Sequence, residues 1–113
     1  YMVFEPAVLN VAVGDSVTFE STDAAHNSAS MAGMIPAGAQ SWNSDLSKDI
    51  TVTFDVPGVY AYQCTPHSMM AMVGVIRVGN DMSNITDVKS AAEAKKASFV
   101  MNKDRLDSYI NQL

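Results

Sequence analysis

The chain has a single cysteine, so no disulfide can close within it, and Cys64 is left as a buried inert thiol, a reactive thiol or a metal ligand. Histidine is almost as scarce, with His26 and His67 alone. No apolar run approaches the roughly 18 residues that span a bilayer, so neither a membrane-embedded protein nor an anchor within this stretch is expected. No basic and then apolar leader precedes Tyr1. The expectation is that a secretion signal has been removed or that the sequence starts late. Repeats and low-complexity segments are also missing. What remains is a chain of 113 residues, 48% hydrophobic and 17% charged. It is sized for one domain, 1–113, that needs neither disulfides nor oligomerisation, so a monomer is expected, with no nucleic-acid partner. Methionine is abundant at eight, and the plain reading of most of them is adaptable core filler.

From residue 1 to 79 the pattern is that of short strands, with Val, Phe, Thr and Tyr recurring at two-residue spacing between turn residues. Val8, Leu9, Val11 and Val13 lead through Gly14-Asp15 into Ser16-Val17-Thr18-Phe19-Glu20, which reads as a hairpin. Thr51-Val52-Thr53-Phe54-Asp55, Val59-Tyr60-Ala61-Tyr62-Gln63 and Val73-Gly74-Val75-Ile76-Arg77-Val78 complete the set. A mainly β fold, a β-sandwich, is expected. From 80 to 113 the period changes. Ile85, Val88 and Ala92 recur at helical spacing after Ser83-Asn84, and Phe99, Leu106, Ile110 and Leu113 read as one face of a second helix. Helices this short are marginal alone in water, so their apolar faces are expected to pack on the sandwich.

Cys64-Thr65-Pro66-His67-Ser68-Met69-Met70-Ala71-Met72 places a thiolate, an imidazole and thioethers within nine residues, between two strands. Two histidines and a cysteine with a weak axial methionine form the blue-copper ligand set, and this segment offers three of those four ligands. The fourth falls to His26, in Thr22-Asp23-Ala24-Ala25-His26-Asn27 at a strand end. The residues alone leave Met69, Met70 and Met72 open as the axial ligand.

Gly33-Met34-Ile35-Pro36, Pro57-Gly58-Val59-Tyr60, Cys64-Thr65-Pro66-His67 and Met72-Val73-Gly74 together resemble the pseudoazurins, small periplasmic cupredoxins. The resemblance covers most of the chain and includes the two terminal helices. It implies a cupredoxin-like Greek-key β-sandwich with two C-terminal α-helices. It also implies one type 1 copper held by His26, Cys64, His67 and Met72, and electron transfer in the periplasm without enzymatic activity. The partners it implies are nitrite reductase, nitrous oxide reductase or a c-type cytochrome. It further implies that Asn27 ties the two ligand loops through Thr65, and that the outer ring edge of His67 is the electron route. Met31, Met34, Met69 and Met70 are then candidates for an apolar docking patch around it. Pro66 has no N–H to donate to the Cys64 sulfur.

Two departures from the resemblance follow. Pseudoazurins surround the copper loop with lysines that steer them to acidic patches on nitrite reductase, whereas the matching positions here read as Ala24, Asn43, Asp45 and Gln63. Residues 1–79 carry seven acids against two bases, Lys48 and Arg77, while the tail has five of each. An uncharged or basic partner face is therefore expected. Cupredoxins also begin with a strand preceding the one near Val3-Phe4-Glu5-Pro6. That strand is not in this sequence, and further N-terminal residues, rather than a smaller fold, are the expectation. From another class, a protein that stores or delivers Cu(I) through methionines is the alternative, although the methionines are scattered rather than in Met-x-x-Met repeats.

Overall fold

A computed structural model describes residues 3–113. Strands β1 (Val8–Val11), β2 (Ser16–Phe19), β3 (Ala29–Ser30), β4 (Ile50–Thr53), β5 (Gly58–Gln63) and β6 (Val73–Val78) precede helices α1 (Ile85–Lys96) and α2 (Arg105–Ile110). One sheet has the order β1-β6-β5-β3 and a second joins β2 to β4. The layering follows from alternation along the central strands. Tyr60, Tyr62, Ile76 and Val78 share a core with Trp42 and Phe54, and Val17, Phe19, Ile50 and Val52 of the second sheet pack against it. Val59, Ala61, Val73 and Val75 point the other way, onto Val88 and Ala92 of α1 and Leu106 and Ile110 of α2. Strands covered on both faces lose the polar half of the alternation, which is why β5 and β6 are buried almost throughout. The tail thus covers the outer face of the central sheet.

Side chains on the central strands leave no slack. Gly74 lies opposite Tyr62, and a Cβ there would sit 2.3 Å from the phenol ring. Tyr62 in turn packs edge-on against Phe4 and Phe19.

Three expectations need correction. β1 and β2 do not form a hairpin: β1 pairs in parallel with β6, and β2 pairs antiparallel with β4. The Ala12–Asp15 turn, with Gly14 at φ +91°, instead carries the chain from one sheet to the other, and Gly14 N–H donates to the Phe54 carbonyl at the end of β4. Alternation only requires each strand to bury one face, and here the faces meet across the sandwich rather than the edges side by side. The second helix is shorter than its apolar spacing predicts. Phe99 lies outside it, in the α1–α2 connection, yet is buried in the same core. The chain near Val3–Pro6 forms no strand, although the Ala7 carbonyl accepts from Val75 N–H and so leads into the β1–β6 pairing.

Ser83-Asn84 marks the start of α1 as expected, but Asn84 makes no side-chain cap. Its amide bonds the Val59 backbone in both directions, Oδ1 accepting from N–H at 2.9 Å and Nδ2 donating to the carbonyl at 2.8 Å. One side chain thereby pins the helix to β5.

Candidate metal centre

Register places the site. In the β3–β5 ladder Ala29 faces Gln63, so the residues just before β3 run past those just after β5. Asn27 and Thr65 meet there, with Thr65 N–H donating to Asn27 Oδ1 at 2.7 Å and Asn27 Nδ2 donating to Thr65 Oγ1 at 3.3 Å. The same Nδ2 reaches the Ser44 carbonyl and Asn43 Oδ1, both at 3.1 Å. The link between the two loops expected of Asn27 is present. On the other side, the β5–β6 pairing continues one step past Gln63 and Val73, with Cys64 N–H donating to the Met72 carbonyl at 2.9 Å.

Between Cys64 and Met72 the chain makes a 3-10 turn over Thr65–Met70, begun with Pro66 in its first positions. Proline suits that place because its φ is already helical and its missing N–H has no partner to lose there. The His67 N–H donates to the Cys64 carbonyl at 3.1 Å, which folds the imidazole back over the sulfur. The outcome is convergence: Cys64 Sγ lies 3.5 Å from His26 Nδ1 and 3.4 Å from His67 Nδ1. The three donor atoms lie within 4.8 Å of one another. Cys64 is fully buried and both imidazoles are half-buried.

The two sulfur–nitrogen separations are those of ligands that share an ion. Metal–nitrogen bonds of about 2.0–2.1 Å and metal–sulfur bonds of about 2.3 Å, at a near-tetrahedral angle, leave the two donor atoms about 3.5 Å apart. The structure brings His26, Cys64 and His67 together. Met72 lies opposite Cys64 in the ladder, is 5% exposed and lines a cavity of about 490 Å³ that His26 also lines.

The other methionines separate. Met31 and Met34 do not join a surface patch: both are buried under the helices, where they meet the volume demand of the sheet's outer face. Met69 is 51% exposed and Met70 half-buried. Sequence reasoning missed the exposed neighbours that the tail supplies, since Val100 N–H donates to the Met69 carbonyl at 2.7 Å and Val100 and Met101 are both exposed. Their contiguity depends on a turn with no apolar period. Around His26 the loops are acidic: Asp23, Asp45 and Asp49 are exposed there beside the single base Lys48. Asp49 Oδ1 accepts from Ser21 N–H and Ser47 N–H donates to the His26 carbonyl, which ties those acids to the site's rim.

The chain is similar to known copper-binding proteins. Residues 1–79 match the family of copper-binding proteins described as plastocyanin/azurin. A putative pseudoazurin from Rhizobium leguminosarum bv. viciae is 40% identical over 112 residues, covering 99% of this chain and 70% of that protein. The pseudoazurin of Paracoccus pantotrophus is 37% identical over 112 residues, covering 99% and 74%. The crystal structure of pseudoazurin from Methylobacterium extorquens AM1 superposes with a TM-score of 0.84 at 35% identity, covering 97% of this chain and 85% of that one. Those matches extend through the helical tail, beyond the segment shared with plastocyanins. The chain belongs to the plastocyanin/azurin family of copper-binding proteins, on its pseudoazurin branch of copper electron carriers.

Proposed function

We propose that the protein is a periplasmic single-electron shuttle, one domain over 1–113, whose copper is held by His26, Cys64, His67 and Met72. The observation that carries the reading is the approach of both Nδ1 atoms to one buried sulfur. Bound copper supplies a one-electron couple, and the protein's part is to keep the ligand positions the same in both oxidation states. Rigid strand ends on either side of the site serve that purpose, because a rearrangement on each transfer would add to the barrier. Met72 is preferred over its neighbours by its burial and its place opposite Cys64. Changing it to Gln should shift the reduction potential strongly, while the same change at Met69 should leave the potential unmoved. Equal shifts at both positions would reject the assignment.

With its Nδ1 turned to the sulfur, His67 keeps the far edge of a half-exposed ring for the partner. That edge is the proposed electron route, with Met69 beside it. Storage or delivery of Cu(I) is less well supported, since Met31 and Met34 are locked in the core and cannot pass a cation along a methionine path.

The partner follows from charge. The acids beside His26 create a field that slows approach of a like-charged surface and speeds approach of an opposite one. The proposed partner is a redox protein with an uncharged or basic docking face, in place of the acidic patches that nitrite reductase offers pseudoazurins. Stopped-flow transfer to one basic and one acidic acceptor across a salt series tests this. Faster transfer to the basic acceptor at low salt, declining as salt rises, is expected; faster transfer to the acidic one would refute it.

A further inference from the structure

Three consecutive carbonyls of the segment leading into Met72 each accept a hydrogen bond from the tail. Val100 N–H donates to Met69 at 2.7 Å, Asn102 Nδ2 to Met70 at 3.2 Å and Arg105 Nη1 to Ala71 at 3.1 Å. The donors run from the α1–α2 connection to the first residue of α2, so the tail grips the loop as well as covering the sheet. Ala71 is where such a grip matters. It is fully buried and left-handed at φ +55°, a conformation that an L-residue with a Cβ adopts only against steric resistance. The next residue is Met72, whose own N–H reaches the His67 carbonyl only at 3.4 Å. Rotation of the Ala71–Met72 peptide, which would move Met72, is opposed on its N–H side by that long bond and on its carbonyl side by Arg105. A thioether bond to copper is weak and long and cannot place the loop by itself.

We infer that residues 100–105 form a latch on the Met72 side of the site, with Asn102 and Arg105 as positioning residues for that ligand. The latch itself is a property of the chain; its effect on copper rests on the assignment of Met72 proposed above.

Two substitutions separate the latch from general stabilisation. Asn102→Gly removes the amide donor but keeps the left-handed backbone, since Asn102 sits at φ +54°. Arg105→Met removes the guanidinium and keeps an apolar stem of similar reach. In the metal-free protein, amide hydrogen exchange at Ala71 and Met72 should quicken about tenfold in Arg105→Met, the size of one charge-assisted bond, and about threefold in Asn102→Gly, the size of a neutral one. Exchange along β6 should stay as it was. In the copper-loaded protein the potential and the visible band should move, and should return toward their original values in Arg105→Lys, whose ammonium can donate to the same carbonyl. Unchanged exchange at Ala71 and Met72, or equal quickening along β6, overturns the latch. Local quickening with an unmoved potential supports the latch and rejects Met72 as the ligand.

Discussion

The segment carrying His26 is tied largely by side chains, with a backbone bond from Ser47 to its carbonyl, whereas the segment carrying Cys64, His67 and Met72 is closed mainly by its own backbone and gripped from outside by the tail. Asn27, Ser44 and Ser47 tie the first, through Asn27 to Thr65, Ser44 Oγ to Ser28 N–H and Ser47 Oγ to Ala25 N–H. The second closes on itself within nine residues, by the 3-10 turn and the Cys64–Met72 ladder bond. One ligand is thus brought from a distance in sequence and depends on a few replaceable groups. The other three are positioned first by chain geometry, and side chains reach them mainly through the bonds of the tail to the Met70 and Ala71 carbonyls.

The sharpest control on that contrast lies outside both loops. Asn84→Ala leaves both backbone groups of the fully buried Val59 without partners, so a loss of about 2–4 kcal/mol is expected in chemical denaturation. The spectrum of the copper-loaded protein should not change, because the tie is to the helix; a shifted spectrum would break the separation of scaffold from site. Asn27→Ala acts on the join itself. Copper affinity should fall about 10–100-fold, as for other groups that orient ligands, and a competitive copper titration with unaltered affinity would show that the join is dispensable.

Within the second loop the expected effects are electronic. Pro66→Ala introduces an N–H able to donate to the Cys64 sulfur, which withdraws density from the thiolate and favours Cu(I). A bond differing by about 1 kcal/mol between the oxidation states raises a one-electron potential by about 40 mV. Voltammetry showing an unchanged or lowered potential would contradict this. The smallest effect is expected at Ser47→Ala, where the orphaned Ala25 N–H is exposed to water: at most about 1 kcal/mol in thermal melts. A larger loss would mean that the His26 loop leans on this hydroxyl more than on Asn27.

Much of this was legible in the chain itself. The bounds of β6 and the start of α1 follow from their periods, and scarcity alone leaves His26, Cys64 and His67 as the imidazole and thiolate donors. Pairing was not legible for β1 and β2, because alternation specifies a buried face and not the neighbour across the edge. The roles of Asn84 and Arg105 were hidden for a related reason: a helix-start signal and a surface-type cation look the same whether their partners are local or twenty or more residues away. Nor could spacing tell that Met31 and Met34 belong to the core while Met69 is exposed. That sorting follows from the helices' covering one face of the sheet, a long-range fact.

Titration of the metal-free protein with Cu(II), followed by visible absorption, decides whether His26, Cys64 and His67 hold copper through the thiolate. One copper per chain should develop an intense absorption toward the red, which Cys64→Ser abolishes by removing the thiolate. A copper-loaded protein that stays colourless, or keeps its colour without Cys64, would contradict that assignment.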